Sequence, residues 1–83
     1  MIVRLDPHAI ERMEERGVTK EEVLATVERG EDIPAKLGRS GFRRNFEYND
    51  VWNGKWYGTK QVEAYAVRED ADWLVITVIS KFF

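Results

Sequence analysis

Phe42-Arg43-Arg44-Asn45-Phe46-Glu47-Tyr48-Asn49-Asp50-Val51-Trp52-Asn53-Gly54-Lys55-Trp56-Tyr57 is the stretch that decides the fold. Phe42, Phe46 and Tyr48 alternate with Arg43, Asn45 and Glu47. That period of two belongs to a strand with one buried face. Asn53-Gly54 follows, and both residue types tolerate the positive φ that a two-residue type I′ hairpin turn requires. The returning strand is expected to include Tyr57–Val67. A two-residue loop sets Trp52 opposite Lys55, Glu47 opposite Lys60 and Arg44 opposite Glu63, with Asn49-Asp50 as the place where a bulge would break this count.

Beyond the hairpin, Glu69-Asp70-Ala71-Asp72 reads as a second turn. Trp73–Phe82 then reads as a strand apolar on both faces, which predicts a central place in the sheet. Before the hairpin the period is helical. Asp6-Pro7 opens a helix, since Asp accepts from the free first-turn amides and Pro suits the first helical position. Ala9, Ile10 and Met13 form its apolar stripe, and Gly17 ends it near Arg16. Thr19-Lys20-Glu21-Glu22 is a capping box for a second helix that carries Val23, Leu24 and Val27 and stops at Gly30. Ile2–Leu5 has the length for one short strand. The order (β)-α-α-β-β-β predicts an α+β fold in one domain over residues 1–83: an N-terminal helical pair packed on a twisted antiparallel sheet.

Composition narrows the chemistry. The 83 residues contain no cysteine and one histidine, which excludes disulfides, thiolate zinc sites and cysteine nucleophiles and disfavours a histidine-built metal centre. No metal or cofactor is expected. Neither a signal peptide nor a run of membrane-spanning length is visible, so a cytoplasmic location with no membrane partner is the expectation. The net charge is −2, but it is unevenly spread. Residues 1–35 hold 5 basic and 9 acidic groups, whereas residues 36–60 hold Lys36, Arg39, Arg43, Arg44, Lys55 and Lys60 against Glu47 and Asp50. This excludes a polycation that coats nucleic acid by bulk charge and leaves room for a local basic patch.

The P-loop, GxGxxG and GxSxG motifs are all absent. What remains is His8 with Arg12 and Arg16 at spacings of four, the central cations and several aromatics. His8 lies in the first turn of a helix, where free amides and the dipole favour an anion. Metal-free RNA cleavage uses such residue types: an acid or base for the 2′-hydroxyl and the leaving oxygen, and cations for the phosphate. His8 suits proton transfer, and Arg12, Arg16, Arg43, Arg44 or Lys60 suit charge stabilisation. Tyr48, Trp52, Trp56 or Tyr57 suits base stacking. Arg39, between Gly38 and Ser40, suits a binding loop. Each has a plain structural reading too. His8 caps a helix, Arg12 and Arg16 pair with Glu15 or second-helix acids, Lys60 and Arg44 pair across strands, and the aromatics pack.

Four segments together resemble a known family. They are Asp6–Val18, Gly38–Phe46, Lys60–Tyr65 and Trp73–Ile79, and they resemble the motifs of the family called domain of unknown function 4258, over nearly the whole chain. The resemblance implies kinship with RelE/ParE-type toxins and a RelE-like fold. It implies a metal-independent endoribonuclease with His8, Arg12, Arg16 and Lys60 as catalytic residues. Arg39, Arg43 and Arg44, which also match motif positions, would bind substrate, and Tyr57, a stacking candidate from the residues themselves, is placed with them. The partners it implies are RNA or the ribosome, and an antitoxin protein. The alternative is a non-enzymatic module that binds protein or RNA through the sheet and its basic loop. The two differ in geometry: the enzyme requires His8 and the cations to converge on one concave surface.

Overall fold

A computed structural model describes residues 2–83; Met1, the first residue of the expected 1–83 domain, lies outside the described residues. The order is β1 (Val3–Leu5), α1 (Pro7–Arg16), α2 (Lys20–Arg29), β2 (Glu31–Ile33), β3 (Ser40–Trp52), β4 (Lys55–Glu69) and β5 (Asp72–Phe82). The five strands form one sheet in the order β1-β5-β4-β3-β2. The fold is α+β, with both helices on one face of the sheet.

The helices begin and end where their caps dictate. Asp6 Oδ1 accepts from the His8 backbone N–H at 2.9 Å, and Gly17 closes α1 at φ 65°. Thr19 Oγ1 accepts from the Glu22 N–H at 3.1 Å, while Glu22 Oε1 accepts from the Thr19 N–H at 2.9 Å, completing the capping box. Ala9 and Met13 of α1 and Val23 and Val27 of α2 pack on Val62, Ala64 and Ala66 of β4 and on Val75 and Val78 of β5. Ile10 differs from the expected stripe: it is 45% exposed.

Four features of the sheet depart from the sequence reading. First, β1 runs parallel to β5, pairing Val3–Leu5 with Trp73–Val75, so the sheet is mixed rather than wholly antiparallel. Second, Glu31–Ile33 adds an edge strand against Gly41–Arg43. Third, β4 is the central strand. Beyond Val75, β5 has a neighbour on one side only. Its second face bears Thr77, Ile79 and Lys81, opposite Tyr65, Glu63 and Gln61. Fourth, the hairpin register slips. Trp52 faces Lys55 as expected, but the pairing shifts between Glu47 and Asp50, around Asn49 at φ 50°. One extra residue on β3 therefore moves every later pair: Lys60 faces Phe46 instead of Glu47, and Glu63 faces Arg43 instead of Arg44.

Candidate functional site

Side chains on a strand alternate between faces, and this single rule disperses the expected constellation. Lys60 shares its face with buried Val62 and Ala64, under the helices. Arg43, opposite Glu63, lies on the other face, and Arg44 returns to the helix side. The set expected to hold one phosphate therefore divides between two sides of the sheet.

Each residue has its own surroundings. His8 is exposed in the first turn of α1, and its imidazole has no hydrogen-bond or ion-pair partner among the described residues. Arg12 Nη1 donates to Glu15 Oε2 at 2.7 Å, one turn along the same helix. Arg16 Nη1 donates to the Val78 carbonyl at 2.6 Å, and Ser80 Oγ donates back to the Arg16 carbonyl at 2.8 Å, joining the end of α1 to β5. Lys60 is buried. Its ammonium donates to Glu22 Oε1 at 2.7 Å and to the Gly17 carbonyl, and it faces the rings of Tyr48 and Phe82 at 5.5 and 5.7 Å. It connects the turn between the helices to the sheet and is almost closed off from solvent. Tyr57 packs on Phe82 with 5.6 Å between ring centres, in a cluster where Trp52 stacks on the same ring at 5.1 Å.

Arg44 reaches under α2: its Nη1 lies 3.4 Å from the Arg29 carbonyl, where the negative end of the helix dipole attracts it, and its guanidinium rests 5.6 Å from the Phe46 ring centre. Its Nε is buried with no partner among the described residues. On the uncovered face Arg43 Nε donates to Glu31 Oε1 at 2.8 Å, and Tyr65 Oη donates to Glu63 Oε1 at 2.7 Å. Glu31, Arg43 and Glu63 stand in one row across β2, β3 and β4. The hydrogen bond to the Glu31 carboxylate holds the Arg43 pKa above its ordinary value, and the bond to Glu63 raises that of the Tyr65 phenol. These are occupied side chains.

Arg39 is different. It ends the loop between β2 and β3 and lines a cleft of about 400 Å³ together with Asp32, Ile33, Ser40, Phe42 and Trp73. The cleft is at the end of the sheet where Ser40 faces Ala66 and Arg68 faces Trp73. Six residues of β4 separate that end from Lys60, about 20 Å at the usual strand rise. Phe42 meets Trp73 edge to face at 5.2 Å, and the Arg68 guanidinium lies 5.0 Å from the Trp73 ring centre. Among the described residues neither the Arg39 guanidinium nor the Asp32 carboxylate has a hydrogen-bond or ion-pair partner.

Sequence reasoning found Arg39 and missed Asp32 and Trp73 as companions. Asp32 lies on a strand too short to show a period, and Trp73 reads equally well as core. No group of three or more His, Cys, Asp or Glu side chains among the described residues is placed to hold a metal ion, and no described helix is long and apolar enough to cross a membrane.

No curated protein and no solved structure matches the chain significantly. Residues 5–80, however, match the family described as Domain of unknown function (DUF4258), and the chain belongs to that family.

Proposed function

We propose that the protein is a non-enzymatic module that binds single-stranded RNA in the cleft between the β2–β3 loop and Trp73. One observation carries this reading: a guanidinium without a partner among the described residues, that of Arg39, shares a cleft with Trp73, which buried Phe42 backs edge to face. A cation for the backbone beside an aromatic surface for a base is the minimal equipment for holding a single strand. Ser40 adds a hydroxyl to the same cleft, and Arg68 adds a second positive charge beside Trp73. The overall charge of −2 is no obstacle, because binding needs only local charge.

A second reading, kinship with RelE/ParE-type toxins and metal-independent cleavage of RNA, is favoured by one feature. The His8 imidazole is exposed at the positive end of α1 with no partner among the described residues. Against it stands the separation of Arg43 from Lys60 and the burial of Lys60, which remove the convergence that the reaction needs.

The two readings part in one experiment. A fluorescein-labelled RNA of roughly 10 nucleotides, near the site size of one small domain, is titrated with protein and followed by anisotropy. The same RNA is then incubated in chelator and run on a denaturing gel. Binding without cleavage is expected, with about tenfold weaker binding by Arg39→Ala and a shallower salt dependence. Absence of binding refutes the module. Cleavage in chelator that is lost in His8→Ala replaces it with the nuclease.

A further inference from the structure

We infer that the cleft selects guanine, and that Asp32 is the residue that reads it. The inference rests on the RNA-binding reading of the same cleft and names the base. Two adjacent acids show why Asp32 stands out. Glu31 faces Arg43 on the uncovered side of the sheet and is occupied by it. Asp32 points the other way, level with Phe42, and lines the cleft that Arg39 also lines. No ion pair joins Asp32 to Arg39, although opposite charges share one cleft. Both groups keep their full bonding capacity for a ligand between them.

The chemistry of a carboxylate then decides the base. An ionised Asp is an acceptor only, with two parallel oxygens. Guanine alone among the four RNA bases presents two neighbouring donors on its Watson–Crick edge, N1–H and the N2 amino group. Adenine and cytosine each set one amino donor beside a ring-nitrogen acceptor, which a carboxylate repels. Uracil sets one N–H between two carbonyl oxygens. Unstacked bases in single strands are read by such edge contacts while their faces rest on aromatic rings. In this cleft the base lies against Trp73, which buried Phe42 backs, its edge turned to Asp32 and its phosphate toward Arg39.

The test uses a labelled oligouridine carrying one central guanine, adenine, cytosine or inosine, titrated with the full chain by anisotropy. The guanine strand is expected to bind about tenfold tighter than the adenine and cytosine strands. Inosine keeps N1–H and lacks the amino group, so it falls between. In Asp32→Asn the preference for guanine over adenine and cytosine disappears, whereas Arg39→Ala weakens all strands alike. Unlabelled guanosine monophosphate separates the two sources of the base. If it competes as well as the oligonucleotide, guanine recognition stands with a free nucleotide as its ligand. Equal affinity for all four strands, or a guanine preference that survives Asp32→Asn, overturns the inference and leaves RNA binding intact. Failure of every strand and of the mononucleotide to bind overturns the underlying reading as well.

Discussion

Replacing Lys60 by methionine removes the ammonium and keeps an unbranched side chain of similar length between Tyr48 and Phe82. The expected loss follows from what is stranded. The Lys60 side chain is 4% exposed and that of Glu22 19%, at 2.7 Å. Removing one partner of a buried pair destabilises by about 3–5 kcal/mol, because the other charge stays behind without compensation. Here Glu22 retains the Thr19 N–H and some solvent, so the lower figure applies, about 3 kcal/mol. In an 83-residue chain that lowers Tm by roughly 12–24 °C. Urea unfolding followed by tryptophan fluorescence measures it, with the midpoint falling at unchanged slope. The decisive arm is the double variant. Adding Glu22→Gln to Lys60→Met removes the stranded charge and keeps a capping side chain, so it restores about 1–2 kcal/mol of the loss. A loss below about 1 kcal/mol in Lys60→Met, or a further loss on adding Glu22→Gln, refutes the claim that a buried ion pair joins the helical turn to the sheet.

Two further outcomes follow from the same geometry. Gly30 has an ordinary φ of −75°, yet a Cβ there meets the Thr26 carbonyl oxygen at 2.4 Å and the Arg43 carbonyl oxygen at 2.7 Å, both backbone atoms. Gly30→Ala is therefore expected to lose about 3 kcal/mol in a denaturant melt, and a change under about 1 kcal/mol contradicts the close approach of α2 to β3. The Tyr65 phenol, raised first by its hydrogen bond to Glu63, holds its proton to higher pH in the folded chain than in the unfolded one. Its contribution to stability is complete below the unfolded value near pH 10 and is lost as pH rises through the folded value. Absorbance titration of tyrosinate reads it: Tyr48, held up first by burial, also titrates late, so one of two late-titrating phenols vanishes in Tyr65→Phe and moves down in Glu63→Gln, and a Tyr65 that titrates with free tyrosine shows the bond to be absent.

The helices were legible because their signals are local. Asp6-Pro7, Thr19–Glu22, Gly17 and Gly30 each act within one turn, and the chain obeys all of them. The hairpin turn at Asn53-Gly54 was legible for the same reason. For the strand register only the place of the slip was legible, at Asn49-Asp50; that it occurs was not, since Asn49, at positive φ, inserts one position and shifts pairs far from itself. The parallel partner of β1 and the short β2 depend on contacts between distant segments, which no local pattern encodes. At the site, the alternation of Arg43 with Arg44 was visible all along and already separates them between faces. The burial of Lys60 was not, because an ammonium among polar and aromatic neighbours looks the same in sequence whether it faces water or Glu22. Arg39 was legible as a loop cation between Gly38 and Ser40, whereas Asp32 of β2 and Trp73 of β5 meet it only in the fold.

The pairing of β1 with β5 has a consequence for timing. Val3 waits for Trp73, 70 residues downstream, and α1 packs chiefly on that same late strand. At synthesis rates of about 5–20 residues per second, some 4–14 s pass between the appearance of the first strand and that of its partner. Throughout that interval Ala9 and Met13 lack the strand on which α1 chiefly packs, and the helical pair is too short to hold itself together alone. The hairpin of β3 and β4, whose pairs are close in sequence, forms first. β1 and α1 are then the segments that find their place late, because their contacts span the most sequence.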